Sequence, residues 1–175
     1  MWFCSWIAAA FWSKRTETRP RRGAELAYSI LVYFGFALLI LPSVRASFGP
    51  RLLSPPLAIK WLIAAFAPLG FGLAWWARIH LGSHWSWNVT RKEDHRLVDT
   101  GPYAVVRHPI YTGVLIASAA TALLEAKWPS FAGFALLASG MWLKTDLEER
   151  FLSIELGAAT YREYVGRTGR LLPRV

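Results

Sequence analysis

The chain has 175 residues; 54% are hydrophobic, 15% aromatic and only 18% charged. A water-soluble domain of this length has no way to bury so much apolar side chain, so composition argues against an ordinary soluble fold, and length points to one domain. The net charge of +9 would suit nucleic acid, but the basic residues are placed as membrane topology requires, and no nucleic-acid partner is expected.

Apolar stretches occur at residues 2–12, 26–41, 57–79, 110–124 and 128–143. A membrane span needs ~20 residues, with ~17 as a lower limit. The third stretch passes easily, and the second passes with its flanks. The last two are short, separated only by Glu125, Ala126 and Lys127, and read as a helical hairpin with a tight outer turn. Residues 2–12 form either a short first span or an interfacial anchor. They lack the charged start and small-residue cleavage site of a signal peptide, and the single cysteine, Cys4, excludes an intrachain disulfide.

Lys and Arg collect in cytoplasmic loops. Lys14, Arg15, Arg19, Arg21 and Arg22 lie between the first two stretches. Arg78, Arg91, Lys92, Arg96 and Arg107 lie in or beside the connector at 82–109, and six more follow residue 143. Only Arg45, Arg51, Lys60 and Lys127 fall elsewhere. Even alternation of spans puts all three basic regions on one side. The expectation is an all-α, polytopic transmembrane bundle of about five helices in a bacterial inner membrane. Residues 1–84 supply the N-terminal membrane helices and residues 85–175 a functional half, within one structural domain.

Pro68, with Gly70 and Gly72, is expected to kink the third span. The hairpin is rich in small residues, among them Gly113, Ala117, Gly133 and Gly140; close helix packing explains them, and room for a ligand is the alternative.

Three sites could carry chemistry. Arg107 and His108 precede Pro109, which suits the first helical position, and a helix start with two basic side chains favours an anionic group. A basic anchor for lipid headgroups would use the same residues. Lys144 and Glu148, four apart, share a helix face at the end of the last span, where a carboxylate requires a cation or donor; Asp146 and Arg150 read as a solvated helix end. His80 and His84 have metal-ligand spacing but no evident third ligand, and their tryptophan-rich setting reads as an interfacial belt, so no metal is expected. The tail with Tyr161 and Tyr164 reads as an amphipathic helix against the membrane.

His95-Arg-Leu-Val-Asp-Thr-Gly-Pro-Tyr103, Arg107-His-Pro-Ile-Tyr111-Thr-Gly113, Glu148-Glu-Arg-Phe-Leu152, and Gly157 with Tyr161 and Tyr164 resemble, in order and spacing, the isoprenylcysteine carboxyl methyltransferase family and the related phospholipid methyltransferases. The resemblance covers roughly residues 85–173. It implies a membrane enzyme that transfers a methyl group from S-adenosylmethionine, bound in a cytoplasm-facing pocket, to a lipophilic acceptor entering from the bilayer. Carried over by motif, Asn88, His95, Arg96, Leu97, Val98 and Tyr103 would lie along the cofactor. Arg107 and His108 would help hold it, Ile116, Ala117, Ser118 and Ala119 would line its pocket, and Glu148 would contact it. Lys144 takes the place of a basic residue near the acceptor, an arginine in the eukaryotic members; a lysine lacks the bidentate fork. No nucleophilic residue is required and none is assigned. The rival readings are a sterol-type membrane reductase using NADPH and a non-catalytic protein of the same fold.

Overall fold

A computed structural model of the protein describes residues 16–18, 22–41, 50–82, 91–92 and 97–174. The stretch at 2–12 and residues Cys4, His84, Asn88, His95 and Arg96 lie outside the described residues. The described chain is helical: α1 (Arg22–Ile40), α2 (Leu57–Leu81), α3 (Pro109–Glu125), α4 (Trp128–Glu155) and α5 (Ala158–Arg167), with a short 3-10 turn at Gly101–Ala104. Two short strands, β1 (Thr16–Thr18) and β2 (Arg91–Lys92), pair antiparallel, a feature absent from the sequence reading. Their pairing joins the first two basic segments at one end of the molecule.

Helix order in space differs from helix order in the chain. α2 packs on α3, α3 on α4, and α1 chiefly on α4 with a smaller contact to α3. The inward face of α1 is Tyr28, Val32, Gly35 and Leu39, spaced as one helical stripe; Leu26, Ile30, Tyr33 and Phe34 stand exposed on the other side. α2 turns Gly70, Ala74, Ala77 and Arg78 inward and exposes Leu57, Trp61, Leu62, Phe66 and Leu69. A helix apolar on both faces is either enclosed in a core or set in lipid. α2 is long and apolar enough to cross a membrane, and only 11% of its most apolar window is buried within the protein.

The small residues of the hairpin are packing residues. A Cβ on Gly113 would run into the Gly70 carbonyl oxygen and come within 2.7 Å of the Ala74 nitrogen; one on Gly35 would sit 2.7 Å from the Gly133 oxygen. α2 runs unbroken through Pro68, and Gly70 serves the seam with α3, whereas Gly72 faces open space. Gly113→Val is therefore expected to force α2 and α3 apart and cost about 1–3 kcal/mol. Gly72→Ala, which meets nothing within 4 Å, should leave stability unchanged or raise it. Thermal unfolding of both variants in one detergent checks the contrast.

The hairpin turn is tighter than expected, because Glu125 ends α3 and only Ala126 and Lys127 separate the helices. Ala126 adopts a left-handed φ of 49°, and its carbonyl accepts a 2.7 Å bond from the Leu52 amide.

Candidate active site at the junction of α3, α4 and the C-terminal tail

Pro109 opens α3 as expected, with His108 at the N-cap. The helix start is not bare. The amides of Arg107 and His108 donate to the carbonyls of Gly169 and Arg170 at 2.8 and 3.1 Å, and Val106 bridges Gly169 in parallel. Thr112 Oγ1 donates to the Leu171 carbonyl at 2.7 Å. Residues 168–171 thus lie along the start of α3 as a latch, where sequence suggested only an amphipathic tail. α5 also departs from that reading: Tyr161 and Tyr164 are buried against the protein, and Tyr164 Oη donates to the Tyr103 carbonyl at 2.8 Å.

The hub of the latch is Glu149, a residue the sequence did not distinguish. Its Oε1 accepts from Arg107 Nε at 2.8 Å and faces His108 Nε2 at 3.3 Å, and its Oε2 accepts from Arg170 at 2.6 Å. Arg107 also donates to the Thr168 carbonyl at 2.5 Å. Its Nε and Nη1 are thus engaged with Glu149 and the tail. Arg170 in turn lies 4.7 Å over the Trp142 ring. Asp146 pairs with Arg150 at 2.8 Å on the surface, as a solvated helix end should.

Glu148 flanks the other nitrogen of the same His108 ring. Its carboxylate meets His108 Nδ1 at 3.2 Å and accepts from Tyr111 Oη at 2.6 Å, and the Tyr111 ring stacks on His108. Burial raises a carboxyl pKa, but the hydrogen bonds and the nearby charge of His108 outweigh it, so Glu148 is held below its ordinary value. The same competition lowers Glu149 to about 2: burial opposes ionisation, and His108, Arg107 and Arg170 overcome it. Burial would lower His108; hydrogen bonds to Glu148 and Glu149 prevail and raise it.

One turn before Glu148, Lys144 is only 6% exposed. Its Nζ stands 5.1 Å from the Tyr111 ring centre and 5.4 Å from that of Tyr28 on α1. The two aromatic faces attract the ammonium, and the Glu148 and Glu25 carboxylates act on it as well.

The structure separates the remaining sequence candidates. Val98 and Tyr103 pack with Ala74, Ala77 and Ile110 against α2, and Leu97 is partly buried beside them. Ala117 lies in the α2–α3 seam opposite Gly70, and Ser118 is also buried, while Ile116 and Ala119 are partly covered. All four sit two or more helical turns along α3 from His108, about 12 Å or further at 1.5 Å per residue. His80 meets the Thr100 hydroxyl at 3.2 Å, and its ring fills the space a Gly101 side chain would need. No group of three His, Cys, Asp or Glu side chains among the described residues is disposed to hold a metal ion.

Residues 62–154, from within α2 to the end of α4, match the isoprenylcysteine carboxyl methyltransferase family. The chain belongs to this family. It is also 30% identical over 154 residues to protein-S-isoprenylcysteine O-methyltransferase B of Arabidopsis thaliana, covering 84% of this chain and 78% of the relative. Lys144, His108, Glu148 and Glu149 all fall inside the family match, while the latch strand at 168–171 and Tyr28 fall outside it. Membership in a methyltransferase family and the convergence of motifs on the start of α3 agree.

Proposed function

We propose that this protein is an integral membrane methyltransferase that uses S-adenosylmethionine and esterifies a lipophilic, prenylcysteine-type carboxylate. The observation that carries the reading is Lys144, a buried cation clasped by two aromatic rings one helical turn from the His108–Glu148 pair. The name of the Arabidopsis relative supports the choice of acceptor. Exposed apolar faces on α1 and α2 support membrane integration, and the gathering of basic segments at one end supports a cytoplasm-facing site in a bacterial inner membrane.

The donor set fits the cofactor. S-adenosylmethionine carries a sulfonium, an ammonium and a carboxylate, and this junction offers both signs: the first turn of α3 for an anion, Glu148 for a cation. When bound, the cofactor supplies an electrophilic methyl group. Carried over by motif, Asn88, His95, Arg96, Leu97, Val98 and Tyr103 would contact the cofactor. Ile116, Ala117, Ser118 and Ala119 stand on the hairpin side, and Arg107 acts by holding the tail against α3. Lys144 holds the acceptor carboxylate, which already bears the lone pair that the transfer uses, so no base is required. Tyr111 and His108 fix the Glu148 carboxylate in one orientation. Orientation and exclusion of water of this kind are worth ~7–11 kcal/mol of barrier.

Membranes containing the protein, given methyl-labelled S-adenosylmethionine and N-acetyl-S-farnesylcysteine, should yield a labelled methyl ester that alkali releases. Alkali-stable label on a lipid amine would replace the carboxylate acceptor with an amine. Absence of both cofactor binding and label transfer would leave a non-catalytic protein of this fold.

A further inference from the structure

Tyr28 is a large polar side chain that α1 turns into this junction. It is 2% exposed, and its hydroxyl is buried without a hydrogen-bond partner among the described residues. Its ring nevertheless lies 5.4 Å from Lys144 Nζ, so the phenol stands beside the proposed acceptor cation rather than in an apolar seam. The two other groups at this place are differently disposed. Tyr111 spends its hydroxyl proton on Glu148 at 2.6 Å, which leaves Tyr28 as the phenol with a proton to give. One turn earlier on the same face, Glu25 presents a buried carboxylate oxygen that also lacks a hydrogen-bond partner among the described residues.

Burying a hydroxyl without a partner costs free energy, and beside a proposed substrate cation a ligand oxygen is the acceptor that would complete it. A carboxylate has two oxygens, and a lysine ammonium acts on it as a point charge without fixing its plane. A second donor from a different direction would fix that plane. We infer that the Tyr28 hydroxyl is a substrate-binding group of the acceptor subsite, donating to one oxygen of the acceptor carboxylate while the Lys144 ammonium attracts the other. Glu25 then faces the amide N–H that adjoins the carboxylate in an N-acylated cysteine. The inference rests on the prenylcysteine-carboxylate reading above and deepens it. It also gives α1, which lies outside the family-matched segment, a part in choosing the acceptor.

Tyr28→Phe removes only the hydroxyl and keeps the ring over Lys144. With N-acetyl-S-farnesylcysteine as acceptor, it should raise KM about tenfold to a hundredfold, the range for a lost hydrogen bond to a charged group. S-adenosylmethionine affinity should stay level, and the melting temperature should hold or rise, because the hydroxyl has no structural partner. N-acetyl-S-farnesylcysteamine, which lacks the carboxylate, should inhibit wild type and variant equally. A KM rise matched by an equal loss of affinity for the cysteamine would overturn the inference, since it would report a deformed pocket. An unchanged KM in Tyr28→Phe, with Lys144→Met impaired, would overturn the role of Tyr28 and spare that of Lys144. If neither variant alters KM, both the inference and the carboxylate reading fall.

Discussion

Glu149→Gln should loosen the C-terminal latch and lower stability by about 3–5 kcal/mol, the range for breaking one side of a buried ion pair. The carboxylate accepts from Arg107 at 2.8 Å and Arg170 at 2.6 Å and meets His108 at 3.3 Å. Without its charge, three basic groups face one another at the start of α3. The consequence should be visible as faster tryptic cleavage at Arg170 and Arg174 and as a lower melting temperature. Unchanged resistance in both assays would mean that the backbone bonds from Arg107 and His108 to Gly169 and Arg170 hold the tail unaided.

The cluster also sets a pH window. Glu149 falls from 4.5 to about 2 on folding, so its contribution is complete above about 4.5 and is lost as pH drops toward 2. Glu148 shifts in the same direction and adds to that acid limb. His108 is raised above 6.5, so its contribution is complete below 6.5 and is lost as pH climbs through the higher folded value. Latch stability should therefore be greatest between about pH 4.5 and 6.5 and decline on both sides. Glu149→Gln should flatten the acid limb. Melting temperature against pH for both proteins tests the sign of each shift.

Lys144→Met should impair use of a carboxylate acceptor while leaving cofactor affinity nearly intact. The substitution keeps the length of the side chain and its packing between Tyr28 and Tyr111 but removes the ammonium. A unit-charge attraction at ~4 Å in an effective dielectric of ~20 is ~4 kcal/mol before desolvation is subtracted. Glu148 keeps His108 and Tyr111 as partners in the variant, so the cofactor side of the junction remains paired. Lys144→Arg should retain carboxylate methylation, since the charge survives and a fork is gained. For an amine acceptor the sign reverses, because a nearby cation disfavours the ammonium product, and Lys144→Met should then be neutral or beneficial. Turnover on a panel of both acceptor types, with cofactor affinity measured in parallel, separates these outcomes. Loss of cofactor binding in Lys144→Met would move Lys144 into the cofactor site.

Much of the architecture follows from local chemistry. Apolar runs of span length, Pro109 behind Arg107 and His108, and the four-residue spacing of Lys144 and Glu148 are properties of neighbours along the chain. Helix geometry alone converts them into faces and ends. The motif order likewise carried the family, because each motif is contiguous. The small residues Gly113, Gly133 and Gly140 could be read as seams, though not which helix each would meet, and Gly70, read as part of a kink, proved to be a seam residue too.

What tertiary structure decided is pairing between distant segments. Glu148 and Glu149 are adjacent in sequence, yet the ~100° turn between helical neighbours sends one to Tyr111 and the other to the latch, and only the positions of α3 and the tail say which. The bonds from Arg107 to the carbonyls of Val165 and Thr168 are contacts across about sixty residues with no local pattern to announce them. Nor could periodicity place α1 against α4 instead of its chain neighbour α2. A hydrophobic stripe specifies that a helix face is buried but not against what. That unspecified choice is what sets Tyr28 beside Lys144.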